Sequence, residues 1–448
     1  MQAGSAQIDI TPPIGTALTG FIARSGPATG VHDPLYAKAL VLDNGATQVA
    51  IITVDVLGLH GRFVADVRAA IEAATGIPAA NMLIACSHTH AGPATMLLEG
   101  CGAIDEGYLV HLHQQLVAVT HRAWTARQPA RLGVGHGQVS EGVHNRRTPG
   151  DVIDPDLGIL RVEDETGHLL AVLLNYACHP TCLTGENRLL SAEYCGYATT
   201  KVQQTTGAIT LFLTGAIGDI GPVSRGWDRL TQIGNALADE VLRCLPTIAV
   251  TAWDTLTTTS RILDLPLLPL PTVAELEQTL AETQHLLADP ERMQQPYQPQ
   301  IQGAMLAWAT TTLDAIRMKR ARTTVTTELQ VIRVGDLVLV SAPGELFVEL
   351  GLAIKQGADR AHLFLCGFGN DNIGYIPARR AYPHGGYEIA DAYKYYRYSA
   401  ALAPEAGELL VATAIALLSH EPNEIERIIR DNEALIRDIW NKESSKKR

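Results

Sequence analysis

Residues 81–90 read Asn-Met-Leu-Ile-Ala-Cys-Ser-His-Thr-His, an apolar run of strand character that stops on two imidazoles, His88 and His90. Five more runs obey the same rule. VAIITVDVLG (49–58) carries Asp55, LLAVLLNYACHP (169–180) reaches His179, and ITLFLTGAIGD (209–219) ends on Asp219. DLVLVSAPGE (336–345) ends on Glu345, and HLFLCGFGNDNIGY (362–375) arrives at Tyr375 a few residues past its apolar part. Six such runs imply a sheet whose strand ends open onto one polar pocket, the place where open α/β sheets bind ligands.

Working outward, RFVADVRAAIEAATG (62–76) has helical apolar spacing and stops at Gly76, and HLHQQLVAVTHRAWTAR (111–127) is a second helix. Between 131 and 175 the pattern changes to strands joined by turns, with Glu165-Thr166-Gly167 at a hairpin. The expected fold is therefore α/β, a mixed β-sheet core with flanking helices. The segment 262–272 contains prolines that exclude a central strand or a helix interior. After it, Thr272 and Glu275 form a capping-box pattern for a helix that Pro290 ends, and 303–320 reads as its partner. The pair is a helical hairpin inserted at about 272–322, and 323–344 resumes the sheet. Residues 421–448 read as an amphipathic helix, with Ile425, Ile428, Ile429, Ile436 and Ile439 on one side and a basic tail. Its surface would dock on the body or on a second copy, giving a homo-oligomer. The expected organisation is one catalytic α/β domain over 1–420 and this terminal helix over 421–448.

With 448 residues, 46% hydrophobic and 18% charged, the chain has the composition of a globular protein. A formal charge of −12 argues against nucleic acid as the main partner. The first residues lack the basic and apolar regions of a secretory signal, and no run is long enough for a transmembrane helix, so a cytoplasmic protein is expected. Seven cysteines, several inside apolar runs, read as reduced thiols; Cys178 and Cys182 flank His179 but form a weak metal pair without a second one.

Two histidines at i and i+2 in extended backbone face one side, so His88 and His90 address one pocket. Two histidines from among His88, His90 and His179, together with the Glu345 carboxylate, would make an open hydrolytic zinc site. Each residue alone also has a structural reading: a hydrogen-bonded strand-end histidine, an exposed loop carboxylate, and for Asp219 a cap on the following turn. Asn145-Arg146-Arg147 supplies guanidinium groups suited to an oxyanion or a polar substrate head.

The string His88-Thr89-His90-Ala91-Gly92-Pro93 resembles the H-T-H-S-G-P element of the neutral, non-lysosomal ceramidases. Further matches follow in order: Asn145-Arg146 with Thr148-Pro149, Cys178-His179-Pro180-Thr181, Gly218-Asp219-Ile220, Pro343-Gly344-Glu345, and Asn370 through Tyr375-Ile376. The resemblance spans roughly residues 6–400. It implies a Zn2+ amidase cleaving an N-acyl bond of a lipid-like substrate. It also implies zinc ligands at His88, His179, Glu345 and Tyr375, with His90 and Arg146 lining the substrate polar group and Asp219 shaping the site. In the mechanism expected from it, His90 and Arg146 stabilise the oxyanion and Asp219 or His90 protonates the leaving amine. Where the family has Ser-Pro-Asn after G-D-V, this chain has Gly221-Pro222-Val223. A serine nucleophile at that position is thereby excluded, and ceramide itself is put in doubt. From its length, the chain is expected to lack the immunoglobulin-like C-terminal domain of full-length relatives. Two other readings stay open: a metal-dependent hydrolase of another ester or phosphoester bond, and a non-catalytic binding homologue.

Overall fold

The computed structural model describes residues 1–22, 24–358 and 362–419; the helix expected over 421–448 lies outside the described residues. Eight strands form the first sheet: β1 (Gln2–Asp9), β2 (Tyr36–Asp43), β3 (Gln48–Val54), β4 (Met82–Cys86), β5 (Gln128–Gln138), β6 (Asp156–Asp164), β7 (Leu169–Tyr176) and β8 (Ile209–Thr214). Their order is β8-β7-β6-β5-β1-β2-β3-β4. The two edge pairs, β3 with β4 and β8 with β7, are parallel, and the strands between them are antiparallel. A second sheet orders β9 (Leu256–Pro266), β10 (Thr324–Val334), β11 (Leu337–Ser341) and β12 (His362–Cys366), with β11 and β12 again parallel. The mixed α/β core is as expected, but the six chemistry-bearing runs belong to two sheets rather than one. All six are the parallel-paired strands.

Why the runs look continuously apolar is now plain. In β3, Ala50, Ile52 and Val54 join one core while Val49 and Ile51 join another, and the neighbouring β2 divides the same way, with Leu40 and Leu42 in the second. Both faces of the strand are covered, so side-chain alternation no longer separates apolar from polar positions. The core containing Leu40 and Leu42 is shared by the two sheets, with Leu160 and Leu173 from the first and Leu339 and Phe364 from the second. A Cβ at Gly158 of β6 would stand 2.2 Å from the Phe364 ring, so this crossing of the sheets requires glycine.

Helices cover the outer faces. In α1 (Gly61–Thr75), Val64, Val67 and Ile71 are buried, and Gly76 ends it in the left-handed region with φ 78°. α2 (Glu106–Thr125) packs beside it; α3 (Glu193–Thr206) and α4 (Trp227–Cys244) cover the β6–β8 side. The insertion is a hairpin of α5 (Val273–Leu287) and α6 (Gln298–Arg317), and Thr272 with Glu275 forms the expected capping box. Pro290 does not end α5. It opens a short turn of helix, Pro290–Met293, between the two. β9 lies at the edge of its sheet with Pro266 as its last residue, where a missing N–H costs nothing. α7 (Val348–Gly357) and α8 (Pro404–Ser419) pack on the second sheet.

Apart from the six chemistry-bearing ends, His136 of β5 and Asp156 of β6 meet His362 of β12 and Lys355 of α7. His136 bonds Asp156 at 2.7 Å and His362 at 2.9 Å, and Lys355 bonds Asp156 at 2.9 Å. Burial alone would raise the Asp156 pKa, but the His136 hydrogen bond and the Lys355 charge outweigh it and hold it at about 2. A carboxylate depressed in the folded state contributes stability above its unfolded pKa near 4, and that stability is lost as pH falls toward about 2. Asp156→Asn should therefore cost about 1–2 kcal/mol at pH 7, discounted for partial exposure, and much less at pH 2.5. Urea unfolding at both pH values checks this; an equal cost at both refutes it.

Candidate metal centre

Three imidazoles converge beyond the ends of β4 and β7. His88 Nε2 lies 3.1 Å from His179 Nε2, and His90 Nε2 lies 3.2 and 3.1 Å from the other two. All three residues are buried. The local geometry differs from the expected extended pair. β4 ends at Cys86, and His88 has left the strand with φ 65°, a conformation side chains rarely adopt and tertiary contacts must enforce. Here the His88 N–H is held by Val56 O at 3.0 Å.

The tautomers follow from the partners. His88 Nδ1 bonds Leu57 O at 2.7 Å, His90 Nδ1 bonds Gly20 O at 2.9 Å, and His179 Nδ1 faces Ile217 O at 3.4 Å. A carbonyl oxygen only accepts, so each Nδ1 carries the hydrogen and each neutral Nε2 presents a lone pair. Burial is the largest cause holding these rings neutral: the His88 pKa falls to about 3, and those of His90 and His179 lie well below the usual imidazole value. Three lone pairs about 3 Å apart cannot hydrogen-bond one another. A cation at this point is the kind of partner the facing lone pairs lack, and imidazole Nε2 held by a carbonyl at Nδ1 is the common ligand form. The His88, His90 and His179 cluster could thus hold a metal ion.

Glu345 supplies an anion to the same point. Its Oε2 stands 3.8 Å from His88 Nε2 and 3.7 Å from His179 Nε2, is buried, and has no hydrogen-bond partner. Burial pushes the carboxyl up to about 7, while the Tyr375 and Tyr396 hydroxyls and the Arg146 charge pull it down. Such an orphaned oxygen fits a cation as its missing partner. Glu345–Leu346 pairs in parallel with Tyr375–Ile376, which sets Glu345 directly beside Tyr375. Two glycines allow the approach: a Cβ at Gly344 would lie 2.4 Å from Gly374 O, and one at Gly218 would lie 2.4 Å from Glu345 O.

The remaining expected residues surround this centre. Arg146 donates to Gly218 O at 2.7 Å and to the Tyr375 hydroxyl at 3.0 Å, and pairs with Glu388 at 3.2 Å. Burial raises the Tyr375 phenol well above its ordinary pKa. Asp219 accepts from the Val348 N–H at 2.7 Å and from Asn145 Nδ2 at 3.0 Å, so both oxygens are occupied. It caps α7 and ties that helix to the Asn145 segment, which suits shaping the site rather than moving protons. Asp55 is half-buried and accepts from the Tyr36 N–H at 3.0 Å. Arg147 turns away to Glu388 and Gly385 O. Gly221 has open space on its Cα, with Arg146 Cδ at 3.7 Å the nearest atom. All seven cysteines are buried free thiols, and neither Cys178 nor Cys182 joins the metal-competent group.

Sequence reasoning missed the three backbone carbonyls that fix the tautomers, and Glu388 and Tyr396. The carbonyls have no side-chain signal. Glu388 and Tyr396 lie in a run dense in tyrosine, Tyr387 to Tyr398, which was the available clue.

Residues 1–226 match the family described as neutral/alkaline non-lysosomal ceramidase, N-terminal. The neutral ceramidase of Pseudomonas aeruginosa is 23% identical over 499 residues, covering 96% of this chain and 74% of that protein. Neutral ceramidase A of Dictyostelium discoideum is 23% identical over 258 residues, covering 50% of this chain and 36% of that protein. The crystal structure of the Pseudomonas aeruginosa enzyme superposes with a TM-score of 0.71 at 20% identity, over 94% of this chain and 75% of that one. The two share a fold.

Proposed function

We propose, for a chain that belongs to the neutral/alkaline non-lysosomal ceramidase family, that it is a zinc-dependent amidohydrolase cleaving the N-acyl bond of ceramide or a ceramide-like lipid. One observation carries the reading: three neutral imidazoles and an orphaned carboxylate oxygen aimed at one buried point. Nitrogen and oxygen donors in this number suit zinc with a position left for substrate. His88, His179, Glu345 and Tyr375 would hold the ion. When bound, it supplies a Lewis acid that polarises a carbonyl and acidifies water to a pKa near 7.

The rest of the chemistry falls to the chain. Arg146 stabilises charge growing on the amide oxygen, an effect of about 3 kcal/mol for a preorganised donor. His90 cannot donate from Nε2, because its hydrogen sits on Nδ1 against Gly20 O. That lone pair suits a base. His90 takes a proton from the attacking water as the C–O bond forms, then returns it to the amine nitrogen as the C–N bond breaks, releasing a fatty acid, which keeps the water's other hydrogen, and an amine. Without a hydroxyl at Gly221, no acyl-enzyme forms there.

A second ligand set is favoured by a specific distance: His90 Nε2 is as close to the other imidazoles as they are to each other. Metal content of His90→Ala and Tyr375→Phe separates the two sets. The reading given first expects His90→Ala to keep its zinc and lose turnover, and Tyr375→Phe to lose zinc. The reverse result moves His90 into the coordination shell. For the function itself, zinc-loaded protein is assayed on N-acyl amides, carboxylic esters and phosphoesters. Turnover of the amides alone supports the proposal. Phosphoester turnover without amide cleavage replaces it, and absence of zinc binding favours a non-catalytic homologue.

A further inference from the structure

We infer that the helical insertion braces the metal centre through Tyr396, a positioning residue that fixes the Glu345 carboxylate so that one oxygen faces the imidazoles. The inference rests on the metal-site reading above and adds to it a residue and an element that have no part in the chemistry. Three contacts make Tyr396 the junction. Its hydroxyl donates to Glu345 Oε1 at 3.0 Å, which leaves Oε2 as the atom 3.7–3.8 Å from the two imidazoles. Its ring lies against Gly374, the residue before Tyr375; a Cβ there would stand 3.0 Å from the ring. It also packs on the cluster of Leu57, Leu98 and Cys101, and Leu57 O is the acceptor that fixes the His88 tautomer. One side chain thus touches the supports of Glu345, Tyr375 and His88.

What holds Tyr396 is the insertion. It directly follows the short helix Ala392–Tyr395, which packs on α6. Trp308 of α6 donates its Nε1–H to Tyr398 O at 2.8 Å and meets the Tyr393 ring edge-on at 5.8 Å, and the Lys394 ammonium stands 5.5 Å over the Trp308 ring. Tyr393 in turn completes the small core of the insertion, where Leu276, Trp308, Ala309 and Leu313 are too few to close a hydrophobic face alone. From the other side Glu99 binds the same segment, its N–H to Tyr395 O at 2.9 Å and its carboxylate to Arg397 at 2.5 Å. The segment 393–398 is clamped at both ends with Tyr396 between the clamps. A hydrogen bond to a ligating carboxylate orients it and raises metal affinity, and losing such a partner typically weakens binding about 10- to 100-fold.

Tyr396→Phe keeps the ring and removes the hydroxyl, and Trp308→Phe keeps the packing and removes the indole N–H. Zinc affinity is measured by chelator competition on the full chain, and the visible spectrum of the cobalt(II)-loaded protein reports coordination geometry. Tyr396→Phe is expected to bind zinc about 10- to 100-fold more weakly with an altered cobalt spectrum, and Trp308→Phe to shift both in the same direction by less. The melting temperature of the metal-free Tyr396→Phe protein should match that of the parent, which separates positioning from a loss of folding. Parental affinity and spectrum in Tyr396→Phe overturn the inference. An effect in Tyr396→Phe with none in Trp308→Phe overturns the role of the insertion. If the parent protein binds neither ion, the metal reading itself fails instead.

Discussion

His179→Ala should abolish turnover and metal binding together while leaving a folded protein. His179 sits at the end of β7, buried, with its lone pair aimed at two others about 3 Å away. Removing it deletes one coordination position. On the zinc reading proposed above, losing the ion would also remove its polarisation of the carbonyl, worth several kcal/mol. At 1.4 kcal/mol per decade that is about 10³-fold or more in kcat/KM. Thermal melting makes the test sharper. In the parent, zinc at about 100 times its Kd should add about 2.7 kcal/mol of stability, and in the variant it should add almost none. The metal-free variant should lose less stability than an ordinary buried truncation, because the three facing lone pairs repel one another and the substitution relieves this. Parental activity with a parental zinc response would refute the site.

Gly344→Ala carries the next largest effect, and for a reason written in backbone rather than side chains. Its Cβ would meet Gly374 O at 2.4 Å, a contact no flexible group can relieve. The Glu345–Leu346 and Tyr375–Ile376 pair must then open, separating the carboxylate from the phenol beside it. Overpacking of this kind costs about 1–3 kcal/mol of stability, and displacement of a reacting group by about 1 Å can cost 10²-fold in rate. We therefore expect at least about a 10²-fold fall in kcat/KM with a lowered melting temperature. Gly221→Ala is the control, since its Cβ would find only Arg146 Cδ at 3.7 Å and should leave stability unchanged. Equal tolerance of both substitutions, read by melting temperature and kcat/KM, would show that the close approach does not position the site.

Much of the fold was legible because burial on both faces leaves a mark in composition. Val49, Ala50, Ile51 and Ile52 of β3 are apolar at every step, and so are Leu173 and Leu174 of β7; successive residues of each strand enter different cores. Strands covered twice must read this way. The capping box at Thr272 and the stop at Gly76 were equally local. The assignment of the runs to one sheet failed, since nothing in β11 or β12 announces which sheet it joins. Partner choice between strands is decided by packing over the whole chain.

The sequence by itself determined that six apolar strands end on polar side chains and that the residues near them could bind a cation. Only the tertiary structure decided that His88 leaves its strand in the left-handed region, that the lone pairs of His90 and the other two rings face inward, and that Tyr396 reaches Glu345. Strand and helix periodicity act over a few residues, whereas Leu57 and His88, or Glu345 and Tyr396, lie 31 and 51 positions apart. Contacts at that distance follow from how two sheets and an inserted hairpin stack, and no local pattern of side chains encodes them.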